Sequence, residues 1–270
     1  MVTDFPSTLA LDHVVVGVGD LAQTMCDYRA LGFTVLEGGQ HPGRTSHNAL
    51  VVFADGAYLE LIAWRAPAPD ERWFRTQVAD GDGLVDFALL PNDTQAVLAA
   101  ARARGLLTLT GPLEGGRVRP DGECLKWQSA RHSTPDLPFL CGDITPRSLR
   151  VPEGDVRWHV NGALGVVGLS VAVLDLDSSL SRYTALLGRS GFETYIDAGI
   201  RHATIELGSF CIQLLSPLAD SDSFSANALK KRLTSRGEGP CALNLCAAQG
   251  NSSRHLDPSL THGVEVQLGV

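Results

Sequence analysis

One pattern starts four times along this chain, and that repetition constrains the fold more than anything else in the sequence. At Leu11–Val18 the β-branched run Val14-Val15-Val16 reads as a strand. Asp20 stands where a helix N-cap belongs, Leu21, Met25 and Tyr28 fall near helical spacing, and Gly32 is placed to end the helix. Phe33–Leu36, Ala49–Phe53 and Tyr58–Trp64 then read as strands, the last two as a hairpin around Asp55-Gly56. The order strand, helix, strand, strand, strand returns at Leu84–Leu90, with Asp93 as cap, an alanine-rich helix Thr94–Arg104 closed by Gly105, and strands around Leu106–Thr110, Cys124–Gln128 and Pro138–Cys141. It returns again at Val166–Val173, with a helix from Asp175 to Leu187 ended by Gly188 and strands around Phe192–Ile196, Ala203–Leu207 and Phe210–Leu215. A helix over Ala226–Leu233 leads to a fourth start, Cys241–Cys246, after which only the strand Gly263–Leu268 follows.

The offsets between copies agree. His13 to Glu60 is 47 residues and the matching span Gly168 to Gln213 is 45; Glu60 to Asp86 is 26 and Gln213 to Cys241 is 28. Self-similarity of this kind means stacked supersecondary units, and a four-stranded sheet needs a partner to cover its apolar face. The expected fold is α+β, with tandem βαβββ modules paired into cup-shaped half-barrel sheets and the fourth module shortened. Residues 65–83 read as a connector, Gly115–Gly122 as a glycine- and arginine-bearing loop, and Pro146–Glu153 as a linker between a half at 1–150 holding the pocket and a degenerate half at 151–270.

Charge and cysteine usage remove several function classes. The net charge is −8 with a pI near 5.4, and no basic run exceeds Lys230-Lys231-Arg232. Nucleic acid and anionic membranes need clustered cations and are not expected partners. The six cysteines form no C-x-x-C or zinc-finger spacing, which suits reduced thiols in the cytoplasm. No apolar run reaches the roughly 20 residues of a membrane span. The first residues, MVTDFPSTLALDH, have no signal-peptide pattern. No P-loop, G-x-S-x-G or dinucleotide fingerprint appears in the right context.

At LDHVVVGVGDL, HPGRTSHNALVVF and YLELIAW the chain resembles the glyoxalase-like domains of the vicinal-oxygen-chelate superfamily. That resemblance implies two modules curling into a cup, with ligands on the first and last strand of each. It puts His13 and Glu60 at the two ligand positions of module one and Asp86 at the first of module two, where the last strand offers Phe139, Leu140 and Cys141. Gly168 and Gln213 fill these positions in the third copy and would not hold a metal. The expected cofactor is a divalent metal (Zn, Fe, Mn, Ni or Co) on His13, Glu60 and Asp86, because imidazole and carboxylate suit those ions and a cation shared by two substrate oxygens stabilises an oxyanion.

The residues themselves add a second expectation. A carboxylate in the apolar run Tyr58-Leu-Glu-Leu-Ile is costly without a partner, so Glu60 is expected to act, as a metal ligand or in a metal-free pocket. In HPGRTSHN, Arg44 with neighbouring donors can hold an acidic group, and a histidine can move a proton. His41, Arg44 and Asn48 are thus expected to bind substrate, with Glu60 and His47 catalytic. A solvated Pro-Gly loop explains the same residues; Arg117 and Arg119 can reach the cup mouth from their glycine-bearing loop, but solvent is their expected setting. Two functions compete: an enzyme of glyoxalase or dioxygenase type acting on a small oxygen-rich molecule, and a non-catalytic small-molecule binder of the drug-sequestering kind. A homodimer is the expected assembly, since the family often pairs modules between chains, although four starts in one chain can satisfy that pairing internally.

Overall fold

The computed structural model describes residues 9–249 and 252–269. Residues 1–8, the start of the stretch read above for a signal-peptide pattern, lie outside them. Eight strands, β1 (Ala10–Gly17), β2 (Leu36–Gln40), β3 (Ser46–Val52), β4 (Tyr58–Trp64), β5 (Gly83–Leu90), β6 (Thr110–Val118), β7 (Cys124–Arg131) and β8 (Phe139–Asp143), close into a barrel in the order β1-β4-β3-β2-β6-β7-β8-β5. The first two modules therefore close completely. The second half stays open as a seven-stranded sheet, β10-β11-β12-β9-β13-β15-β14. It comprises β9 (Ala163–Ala172), β10 (Glu193–Asp197), β11 (Ile200–Leu207), β12 (Phe210–Pro217), β13 (Gly239–Ala247), β14 (Arg254–His255) and β15 (Glu265–Leu268).

Helices α1 (Leu21–Ala30), α3 (Thr94–Ala103) and α5 (Leu176–Leu187) begin at Asp20, Asp93 and Asp175, whose carboxylates accept backbone N–H bonds of the first turn. Each thereby satisfies donors that a helix start leaves free. Alternation along the strands sorts the rest. Val14, Val16, Leu59, Leu61, Phe87 and Leu89 join one continuous core with Leu169, Val171, Leu243 and Leu245 of the second sheet, while His13, Glu60 and Ile62 line the barrel interior. The halves are also tied by Arg182–Asp136 at 2.6 Å and by His262, which reaches Asp82 at 2.8 Å and Asp27 at 3.1 Å. Among the described residues no helix is long and apolar enough to cross a membrane.

Four local readings need correction. The second strand is Leu36–Gln40, not Phe33–Leu36, because Phe33 and Val35 are drawn into the core beneath α1. The connector 65–83 contains α2 (Arg72–Asp80), whose Trp73 packs against Phe139. The first half of the supposed loop Gly115–Gly122 belongs to β6; a Cβ at Gly115 would run into the Trp127 indole of β7, so glycine there marks close approach rather than a turn. The linker carries α4 (Arg147–Arg150), and its arginines enter the barrel wall. A further helix, α6 (Phe224–Arg236), extends the expected Ala226–Leu233 at both ends and packs its Leu229 and Leu233 against Ala172 of β9.

Candidate active site

The barrel encloses a cavity of about 510 Å³. Its ionic base starts at β1. The register between β1 and β5 shifts at Leu11–His13, and this irregularity goes with Asp12 and His13 both being buried, at 0% and 3% exposure. Asp12 accepts from Arg150 Nη1 and Nη2 at 2.7 and 3.0 Å and from Arg147 at 2.6 Å. Arg150 also bonds Asp143 and the Tyr58 hydroxyl. A carboxylate in this setting is tolerable only because it is fully paired. Burial alone would raise its pKa, but Arg150 and His13 hold it well below the usual range.

His13 stacks on Tyr58 with ring centroids 4.6 Å apart. Its Nδ1 sits 2.6 Å from Asp12 and its Nε2 3.4 Å from Glu60 Oε2. Burial pushes the imidazole down, yet the bonds to Asp12 and Glu60 outweigh it and raise the pKa. Glu60, 6% exposed on β4, accepts 2.6 Å from Asn48 Nδ2 on β3. Burial would raise this carboxyl too, but His13, His41 and Asn48 hold it down at about 2. His41, just past β2, places Nε2 3.6 Å from Glu60 Oε1 while Nδ1 faces Ser46 Oγ at 3.0 Å. Burial lowers its pKa, and the Glu60 charge only partly offsets that. One carboxylate thus stands between two histidines displaced in opposite directions.

The structure brings His13, Glu60, Asn48 and His41 together at this cavity. It separates the others. His47 alternates to the opposite face of β3, beside Arg65 in an outer groove, and is not at the cavity. Arg44 stands at the mouth, its side chain 57% exposed, 3.7 Å from Glu71. Asp86 is buried but committed to Arg72, to Trp73 Nε1 at 2.8 Å and to Arg131 at 3.7 Å. Sequence reading set Arg117 in solvent rather than at the cup mouth, whereas it is 3% exposed and lines the cavity from β6. Its glycine-rich setting pointed to solvent; the spacing of Gly115 and Arg117, two apart and so on one face of a strand, was the available signal.

The ligand positions can be tested for a metal. Val15 pairs with Glu60 and Ala88 with Phe139, so Phe139 occupies in module two the place that Glu60 holds in module one. His13, backed by the Asp12 carboxylate, and Glu60, held by Asn48, have the support that metal ligands need. A third donor is usual for a catalytic site: Asp86 is neutralised by arginine, Phe139 has no donor, and His41, though its Nε2 is 3.6 Å from Glu60 Oε1, does not form with His13 and Glu60 a set gathered within 4.8 Å among the described residues. Among the described residues the one set of three His, Cys, Asp or Glu ligand atoms within 4.8 Å is Asp12, His13 and Cys141. Asp12 there already serves two guanidinium groups, and burial pushes the Cys141 thiol up to about 12. Asp12 and His13 also belong to the ion-pair network, and Asp12–His13–Cys141 is the candidate metal set; the expected trio of His13, Glu60 and Asp86 is not gathered within that distance.

A family model described as a glyoxalase-like domain matches residues 11–187. A hypothetical protein from Staphylococcus aureus has the same architecture, with a TM-score of 0.72 at 12% identity over 96% of this chain and 98% of that one. A 4-hydroxymandelate synthase variant from Streptomyces coelicolor superposes with a TM-score of 0.62 at 14% identity, covering 94% of this chain and 78% of the synthase. A xylose isomerase-like TIM barrel/4-hydroxyphenylpyruvate dioxygenase fusion protein gives 0.53 at 19% identity, with 91% of this chain and 38% of the fusion covered. No curated protein matches in sequence. The closed pair of βαβββ modules, the match across most of the chain and these shared architectures agree: the chain belongs to the glyoxalase-like domain family, of the vicinal-oxygen-chelate fold.

Proposed function

We propose that this chain is a vicinal-oxygen-chelate-type enzyme that moves a proton on a small oxygen-rich molecule held in the barrel. The observation that carries this reading is Glu60 between His13 and His41, at 3.4 and 3.6 Å. Titratable neighbours pushed apart by their surroundings mark an acid and a base. His41, with its lowered pKa, is the neutral imidazole that accepts a proton from carbon next to a carbonyl. His13, with its raised pKa, is the imidazolium that donates to the oxygen where charge develops. Glu60 touches both, so after turnover it can take up the proton from His41 and release it to His13, returning to the carboxylate. This reading favours the isomerase or lyase end of the range, and gives His41 the role first assigned to His47.

The test is deuterium uptake from solvent, followed by NMR over a panel of small ketones, aldehydes, 2-hydroxy and 2-oxo acids. Glu60→Gln is expected to slow exchange at least 10²-fold, the ordinary worth of positioned acid–base catalysis, with folding intact. Wild-type exchange matched by that variant would remove the assignment. Elemental analysis runs beside it: one equivalent of transition metal, lost in His13→Ala, would move the site to metal-assisted chemistry. Tight ligand binding without exchange or turnover would favour the sequestering protein, a reading supported by the incomplete ligand set.

A further inference from the structure

We propose that Arg117 is the receptor for a carboxylate on the ligand of this cavity, so that the molecule taken is a small carboxylic acid. The inference rests on the barrel cavity being the binding site, as proposed above, but not on any step of the chemistry. Arg117 is 3% exposed and lines the cavity. Its Nε has no hydrogen-bond partner. Nη2 donates to the Arg150 carbonyl at 3.1 Å, and Nη1 reaches Asn48 Oδ1 only at 3.5 Å. Among the described residues no carboxylate comes within 4.0 Å of it.

The neighbouring guanidinium groups differ in this respect. Arg150 is saturated by Asp12 and Asp143, Arg131 lies near Asp86, and Arg44 near Glu71. A buried cation with no carboxylate in contact, Glu60 acting on it only across Asn48, is expensive to keep. The fold nevertheless makes room for it, since a Cβ at Gly38 would clash with Asn48 Oδ1 and fall 3.0 Å from Arg117 Nη1. An arginine fork matches the two oxygens of a carboxylate, and such a ligand supplies the charge the site lacks. Asn48 sits between Arg117 and Glu60, its Oδ1 toward the first and its Nδ2 toward the second. A carboxylate on Arg117 therefore fixes the ligand one side chain away from the His13–Glu60–His41 cluster.

Titration calorimetry at low salt with benzoate, benzamide and phenyl phosphate tests this. Wild-type protein is expected to bind benzoate at least tenfold more tightly than benzamide or phenyl phosphate. Arg117→Met is expected to lose at least tenfold in benzoate affinity, and Arg117→Lys, which keeps the charge but not the fork, to lose part of that. The ligand-free Arg117→Met protein should melt at or above the wild-type temperature, since an uncompensated buried charge has gone; an arginine needed only for folding would melt lower. Equal benzoate binding by Arg117→Met, a benzamide affinity matching benzoate, tighter phenyl phosphate, or a lower melting temperature would each overturn the carboxylate assignment. Glu60→Gln separates the two proposals. Arg117-dependent benzoate binding with unimpaired exchange in Glu60→Gln sinks the proton-transfer reading alone. Lost exchange in Glu60→Gln with unchanged binding in Arg117→Met sinks this one alone.

Discussion

The barrel and the open sheet are built from the same module and put it to opposite uses. Parallel pairing sets Val15 against Glu60 in the first half and Ser170 against Gln213 in the second. His13, two residues before Val15, therefore corresponds to Gly168. Where the barrel has an imidazole between two carboxylates, the sheet has a glycine overlaid by the Asn244 side chain and a glutamine donating to the Tyr195 hydroxyl at 2.8 Å. The difference follows from closure. A closed barrel removes its interior from water, which makes each charge there costly unless paired and effective once paired. An open sheet offers no such enclosure, so neutral amides suffice on its free face, and its other face covers the barrel.

The largest expected effect in that comparison is on stability. Arg150→Ala leaves the fully buried Asp12 without its bidentate partner and leaves Asp143 with Arg147 alone, at 3.2 Å. Removing one partner of a buried ion pair costs about 3–5 kcal/mol. Gln213→Ala, at the register position that matches Glu60, removes a single exposed hydrogen bond and should stay within about 0.5 kcal/mol. Urea unfolding of both variants checks the contrast; similar midpoint shifts would mean that the two halves are not divided in this way.

Acid and base should find the same asymmetry. The Glu60 carboxyl, held at about 2 in the folded protein, has an ordinary pKa near 4.3 when unfolded. Its contribution is present above the unfolded value and fades as pH falls toward 2. The His13 imidazole is raised, so its contribution is complete below the unfolded value near 6.5 and is lost as pH rises through the folded one. Wild-type stability should thus decline on both sides, below about pH 4 and above about pH 6.5. Glu60→Gln should flatten the acid limb, and it should lower the alkaline limb's onset because His13 loses one of its two carboxylates. Gln213→Glu should leave both limbs in place. Urea midpoints from pH 2 to 9 measure this, and an unchanged acid limb in Glu60→Gln would break the link to the barrel.

Much of this was legible in the chain itself. Caps, glycine stops and alternation located most elements, and YLELIAW with HPGRTSHN located Glu60, His41 and Asn48. What escaped depends on distant partners. Arg150 lies 138 residues from Asp12, and nothing local in RSLR shows that four residues of an apparent linker close a barrel. Asp86 read as a ligand through the family resemblance, but its partners Arg72 and Trp73 sit on α2, in a stretch whose proline and charge hid the helix. Gly115 and Gly116 disguised β6, and with it Arg117, because a glycine needed for close packing looks the same in sequence as one needed for a turn.

The smallest effects should fall where the halves are alike. Asp20 accepts from Gln23 N at 3.0 Å to start α1, and Asp175 accepts from Asp177 N and Ser178 N at 3.0 and 3.2 Å to start α5. Both caps are exposed, and each helix lays its buried residues on its own sheet in the same place in the module. Losing an N-cap costs about 1 kcal/mol. Asp20→Ala and Asp175→Ala should therefore destabilise by similar amounts, and the double variant by their sum within about 0.5 kcal/mol, as for independent sites. A much larger loss for Asp20→Ala would mean that the charged barrel interior depends on the exact seating of α1, and would carry the asymmetry of the two halves into the one element they share.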